Sequence, residues 1–220
     1  MAITWTNFYN LEGNSNDAIA SANGTNTSIT YSTGNGKINQ GAGFNGSNSD
    51  FSLPIALGNT GTINLWFKRA DTSTNYGSMF GATTIAVSDY IRINPSATTL
   101  QFICANEALT PAWTVDTNWH MVTIAWDTST AWTGYLDGAL YATGSGIKNP
   151  TGNVNLRAGI TANGSGIYTS GQTYYNGAMD IVSYSTQRAV LADIQAEYNG
   201  GSGRQYPFTI TNNSGFFNFM

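Results

Sequence analysis

The sequence predicts an all-β sandwich or barrel that carries one short helix near its C-terminus. Three observations predict it. Short runs of alternating apolar and polar residues recur along the chain, with turn-forming residues between them. Aromatic residues make up 13% of the chain and charged residues only 9%, where an average globular protein carries about 25% charged. Apolar residues at helical spacing occur convincingly in one segment, close to the end.

The strands follow in order. Ile63, Leu65 and Phe67 alternate with Asn64, Trp66 and Lys68, the period of a strand covered on one face. Ile91 and Ile93 alternate with Tyr90, Arg92 and Asn94. Leu100, Phe102 and Cys104 alternate with Gln101 and Ile103, and Val122, Ile124 and Trp126 with Met121, Thr123 and Ala125. Val154 and Leu156 continue the pattern. Gly58-Asn59, Asn94-Pro95 and Asn163-Gly164 mark turns between these runs. In the run from Thr133 to Tyr141, Asp137-Gly138 sits between two apolar segments, which predicts a two-residue type I′ hairpin. Ala189, Val190, Leu191, Ile194 and Tyr198 predict the helix, with Ser185 or Thr186 as its cap and Gly200-Gly201 as its stop. Tyr206 to Thr211 reads as a last strand. The alternation predicts that Ile63, Leu65, Phe67, Val122, Ile124 and Leu156 are buried between the sheets.

Composition excludes several classes. A chain of 220 residues with 6 Trp, 12 Tyr and 10 Phe has ample material for a core, which argues against disorder. It lacks the Ala, Glu, Lys and Leu excess of a helical bundle. With 8 Lys and Arg against 12 Asp and Glu, it has no basic excess for nucleic acid. The single cysteine, Cys104, lies in an apolar run and reads as a small buried hydrophobe. No apolar run approaches the ~20 residues of a membrane span, so no membrane insertion is expected. The opening Met1-Ala2-Ile3-Thr4-Trp5-Thr6-Asn7 has neither the basic nor the apolar region of a signal peptide, which leads us to expect folding in a cytoplasm.

Several segments resemble laminin G-like domains of the concanavalin A-like lectin and glucanase group. These are Thr62 to Lys68, Trp119 to Asp127 followed by Gly134-Tyr135-Leu136-Asp137-Gly138, and Tyr175 to Ser185 followed by a helix from Leu191 to Gly200. The opening Leu11 to Asp17 and the later Gly43-Phe44-Asn45-Gly46 match the usual N-terminal part. The resemblance covers about residues 8–200. It implies a concanavalin A-like jelly-roll sandwich of two curved antiparallel sheets, with residues 1–211 as one domain and 212–220 as an apolar C-terminal arm. The fold leaves function open, because carbohydrate binding, adhesion and glycoside cleavage all occur on it.

Glycoside hydrolysis needs two carboxylates facing each other across a groove. The three glutamates, Glu12, Glu107 and Glu197, fall near the first turn, in a loop and on the helix, so no enzyme is expected. Asp127 and Asp137 read as turn residues, and His120 as a structural residue beside Trp119, with no nucleophile elbow near it. Calcium is a candidate cofactor. The resemblance implies Asp17 and Asp180 as ligands, joined by carbonyls of the loop from Ser21 to Thr25, although Ile181 stands where a second acid is common in the family. The alternative is that Asp17 caps a turn and Asp180 binds a backbone amide.

Tyr76, Trp113, Trp132, Tyr168 and Tyr174 lie in polar surroundings and together predict an exposed aromatic platform, for sugar or for a protein partner. Phe216, Phe217, Phe219 and Met220 follow a flexible Asn212-Asn213-Ser214-Gly215, the form of an arm that docks into a neighbouring subunit, and predict an oligomer or larger assembly; the alternative is a tail that folds back onto its own sandwich. A binding domain with an apolar tail, no leader pattern and an Asn, Thr, Ser and Gly bias resembles bacteriophage surface proteins. The expectation is a virion protein, a capsid decoration or tail-associated adhesin recognising surface glycan or protein. The alternatives are a purely structural capsid cement and a glycoside hydrolase relative.

Overall fold

Asp137 and Gly138 adopt φ angles of 50° and 78°, and Leu136 pairs with Ala139 across them. These are the two positive φ values that a type I′ turn requires, and the Asp-Gly pair supplies them at low steric cost. The hairpin sits at the edge of a sandwich. The computed structural model describes residues 3–72, 77–83, 91–95, 98–105, 107–148, 150, 154–160, 162–163, 166–167 and 173–208.

Fifteen strands of the described residues form the two layers. In chain order they are β1 (Asn7–Tyr9), β2 (Thr25–Thr27), β3 (Thr30–Ser32), β4 (Gly41–Asn45) and β5 (Asp50–Leu53). Next come β6 (Gly61–Arg69), β7 (Phe80–Thr83), β8 (Ile91–Pro95), β9 (Leu100–Cys104) and β10 (Glu107–Leu109). The last are β11 (His120–Trp126), β12 (Thr133–Leu136), β13 (Ala139–Thr143), β14 (Val154–Ala158) and β15 (Asn176–Ser185), followed by helix α1 (Leu191–Tyr198). The first sheet runs β13-β12-β11-β6-β15-β4-β3, with β1 also paired to β15. The second runs β10-β9-β8-β7-β14-β5-β2. Every pairing within the two sheets is antiparallel, and the whole is a jelly-roll-like β-sandwich with one short helix near the C-terminus.

The inner faces meet as the alternation predicts. Leu65, Phe67, Val122, Ile124 and Leu156 are fully buried and Ile63 is nearly so, all in the cluster between the sheets. Cys104 belongs to the same cluster, and burial pushes its thiol up to about 12, so it is an inert hydrophobe.

A second apolar cluster, not foreseen from the sequence, covers part of the outer face of the first sheet. Trp66, Met121, Ala125, Tyr135 and Ile181 point outward from their strands and are buried by Trp5, Phe8, Ala189 and Ile194. The Tyr198 ring stacks on Trp66 at 5.6 Å. This is why the strands of the first sheet read as partly continuous apolar runs: both faces are covered.

Three expectations change. The helix begins at Leu191, as the resemblance implies, but Val190 and Leu191 are exposed and do not form its buried face. Ser185 is the last residue of β15 and binds Thr4 and Gln187 instead of capping. The cap is made from inside, because the Asp193 carboxylate accepts the N–H groups of Val190 and Ile3 at 3.0 Å each. Asn94-Pro95 is not a turn but the end of β8, with Pro95 opposite Leu100. Tyr206, Pro207 and Phe208 form a bend, not a strand, and their rings pack on Phe8 at 6.2 Å and 5.4 Å, which closes the second cluster. Residues 209–211 and the arm 212–220 lie outside the described residues.

Candidate functional site

The aromatic platform expected from the sequence does not form as a set. Trp113 is buried in the core, edge-on to Phe67 at 6.0 Å and to His120 at 5.9 Å. Trp132 has no exposed surface, and its indole N–H donates to Glu107 Oε2 at 2.6 Å. Neither presents a ring to a ligand. Flanking polar residues do not keep a Trp at the surface, since a loop Trp is drawn inward wherever a distant acceptor satisfies its N–H. Tyr174 is half-buried where Thr173–Tyr174 pairs in parallel with Gly77–Ser78. Tyr76 and Tyr168 lie outside the described residues.

Asp17 and Asp180 are both buried, and N–H donors engage both oxygens of each. Asp17 Oδ1 accepts from Phe8 N and Ile19 N, and Oδ2 from Asn7 Nδ2 and Ala22 N, at 2.6–3.2 Å. Asp180 Oδ2 accepts from Lys37 N and Ile38 N at 2.9 Å each, and Oδ1 from Ile181 N at 2.8 Å. Among the described residues no group of three or more His, Cys, Asp or Glu stands close enough to hold a metal. A donor set already filled by N–H groups does not fit the calcium ion implied by the resemblance.

Asp180 does something else. A bulge in β15 between Asp180 and Ser183, with Ile181 at a φ of 51°, breaks the regular pairing with β6. The Asp180 carboxylate there pins residues 37 and 38, and with them the single turn Thr33–Asn35, against the outer face of the first sheet.

The pinned turn forms one wall of a groove of about 300 Å³. Its floor is a row in register across four strands: Thr30 of β3, Gly43 of β4, Ala178 of β15 and Lys68 of β6. The Asn35 and Thr30 side chains close over Gly43. A Cβ there would stand 2.2 Å from Asn35 Nδ2 and 2.7 Å from Thr30 Oγ1. Ser28, Asn35 and Asn45 add polar side chains to the lining, and among the described residues no carboxylate takes part in it. The Lys68 ammonium reaches the Gly34 carbonyl at 3.4 Å and lies 5.3 Å from the centre of the half-buried Trp119 ring. The groove occupies the part of the outer face that the second apolar cluster leaves uncovered. It has no sequence signature, since its residues span positions 28 to 178.

All three glutamates are used elsewhere. Glu107 accepts from Trp132 Nε1 and Ser145 N, Glu12 from Gln40 N and Gln205 Nε2, and the buried Glu197 pairs with Arg204 at 3.1 Å. His120 is bracketed by Asp137 at 2.7 Å on Nδ1 and Asp116 at 2.9 Å on Nε2. Only the imidazolium can donate from both nitrogens. Burial pulls the pKa of His120 down, but the hydrogen bonds and charges of the two aspartates outweigh it and the net shift is upward.

Burial also pushes Asp180 up to about 7, despite its three N–H donors. Both groups hold a proton more tightly in the folded chain. Their stabilisation is therefore complete below the unfolded values, about 4 for aspartate and about 6.5 for histidine, and is lost as pH rises through the folded ones. The melting temperature should fall from pH 5 to pH 8. The double variant Asp180→Asn, His120→Gln should flatten that slope, which a pH series of thermal melts reads directly.

Fold and groove together define a jelly-roll-like β-sandwich with a polar, carboxylate-free cleft on its outer face. No family model and no curated protein sequence matches the chain. Solved structures do share its fold. Domain 4 of an extracellular arabinanase from Geobacillus stearothermophilus, solved with arabinotriose, aligns over 93% of this chain and all of that one, with a TM-score of 0.69 and 17% identity. The receptor-binding domain of the botulinum neurotoxin C/D mosaic serotype aligns over 89% of this chain with a TM-score of 0.66 and 12% identity. The ligand-binding domain of botulinum neurotoxin serotype D, solved with N-acetylneuraminic acid, aligns over 89% with 0.64 and 13%. This chain spans about half the length of those two neurotoxin domains. At these identities the likeness is one of fold.

Proposed function

We propose that the chain is a non-catalytic glycan-binding module whose ligand lies in the groove lined by Thr30, Asn35, Asn45 and Lys68. The groove itself is the observation that carries this reading. Among the described residues it is lined by hydroxyl and amide groups able to bond sugar hydroxyls, and it holds no acid to protonate a leaving group or activate water. The arabinotriose and N-acetylneuraminic acid complexes of the structural neighbours support saccharide as the ligand class. A glycan array should show binding that Asn35→Ala and Thr30→Val each reduce about tenfold or more, while both variants melt close to wild type. Array binding unchanged in both would remove the groove from the reading, and release of reducing sugar by the wild type would replace it with a hydrolase.

We infer a virion surface as the setting, as a bacteriophage capsid decoration or tail-associated adhesin of laminin G-like type. Its support is the compositional bias and the motif resemblance of the sequence. Residues 212–220, with Phe216, Phe217, Phe219 and Met220, are the proposed contact to neighbouring virion proteins. Deleting them should leave the melting temperature almost unchanged and abolish incorporation into particles. Incorporation without glycan binding would favour the capsid cement role instead.

A further inference from the structure

Ion pairing is distributed unevenly over this molecule. Arg157 pairs with Asp50 at 2.6 Å, Arg188 with Asp127 at 3.6 Å and Arg204 with Glu197 at 3.1 Å. Lys37 and Lys68 enter no salt bridge among the described residues. They lie instead against aromatic rings, Lys37 4.7 Å from the centre of Trp66 and Lys68 5.3 Å from the centre of Trp119. Both belong to the same outer face, Lys68 in the groove and Lys37 in the segment that Asp180 pins beside it. Arg69, the next residue of β6, is buried and lies by Tyr175 of the core between the sheets, so Lys68 is the cation that the lining offers a ligand, and among the described residues the lining carries no anion.

The chain has a formal net charge of −4, so this local positive site does not follow from overall composition. An ammonium offers three N–H donors. Lys68 spends one on the Gly34 carbonyl, at a long 3.4 Å, and two remain for a guest. The Trp119 ring and the Gly34 carbonyl hold the head group in place before a ligand arrives, which lowers the entropy cost of using it.

We propose that the groove selects an acidic saccharide, with the carboxylate of a uronic or sialic acid seated at the Lys68 ammonium. This rests on the glycan-binding reading above and narrows it to one ligand chemistry. Neutral sugars would use the hydroxyl and amide groups alone. They would leave a partly desolvated ammonium without its counter-charge.

Calorimetric titration of the full chain with four probes tests it: 3′-sialyllactose, lactose, trigalacturonate and arabinotriose. At least one acidic probe should bind about tenfold or more tighter than its neutral counterpart, with affinity falling as salt is raised. Lys68→Met should abolish that preference and leave the weaker neutral binding in place, with its melting temperature showing that the chain is folded. The two acidic probes separate a sialic from a uronic acid. Equal binding of acidic and neutral probes, or a preference that survives in Lys68→Met, overturns the inference and leaves the glycan-binding reading standing. Silence with all four probes overturns both.

Discussion

Ile124→Ala should lower the unfolding free energy by about 2–5 kcal/mol, through lost transfer energy and the cavity left behind. Ile124 is fully buried at the middle of β11, opposite Ile63 of β6 on one side and Gly134 of β12 on the other. The space that a Cβ on Gly134 would enter is taken by the Phe102 ring of the facing sheet, 3.1–3.2 Å away. The glycine flank has no side chain to move into the hole, and Phe102 already rests on the glycine backbone. Limited relaxation places the cost toward the upper part of that range. Leu140→Ala, at a side chain 55% exposed on the edge strand β13, is the matched control and should change stability by no more than about 0.5 kcal/mol. Denaturant midpoints of the two variants make the comparison. Equal midpoints would mean that the inner face of β11 is misassigned.

Arg157→Met should cost about 3 kcal/mol, for a different reason. Asp50 is almost fully buried in β5, and Arg157 of β14 reaches it at 2.6 Å from the neighbouring strand. Burial already pushes the Asp50 carboxyl above its ordinary value even with the guanidinium there to oppose it. Removing the arginine leaves a carboxylate that must either stay charged without a partner or take up a proton. A group whose folded pKa is raised loses its stabilisation as pH rises through that value, so the deficit of Arg157→Met should be larger at pH 8 than at pH 5. The double variant Asp50→Asn, Arg157→Met should recover much of the loss, because no buried charge remains. A double variant as unstable as the single would show that Arg157 acts through packing of its alkyl stem instead.

How much of this was legible beforehand depends on the range of the interaction involved. The alternation at residues 63–67 and 122–126 reports a backbone period, and the Asp137-Gly138 turn reports two φ angles, so both can be read from neighbouring residues alone. The sequence by itself determined the all-β class, the hairpin, the inner face of each central strand and the presence of a helix after residue 190. It also determined that the three glutamates could not form a catalytic pair in one strand.

The tertiary structure alone decided which polar-flanked aromatics are exposed. Trp113 and Trp132 went inward because Phe67, His120 and Glu107 lie where they complete the packing and the hydrogen bond. Asp180 became the anchor of residues 37 and 38, more than 140 positions away, because a bulge in β15 places its carboxylate beside their N–H groups. The groove belongs to this second kind. Gly43, Ala178 and Lys68 become neighbours only through the lateral register of β4, β15 and β6. Pairing across strands depends on contacts between segments far apart in the chain, and local periodicity carries no record of them.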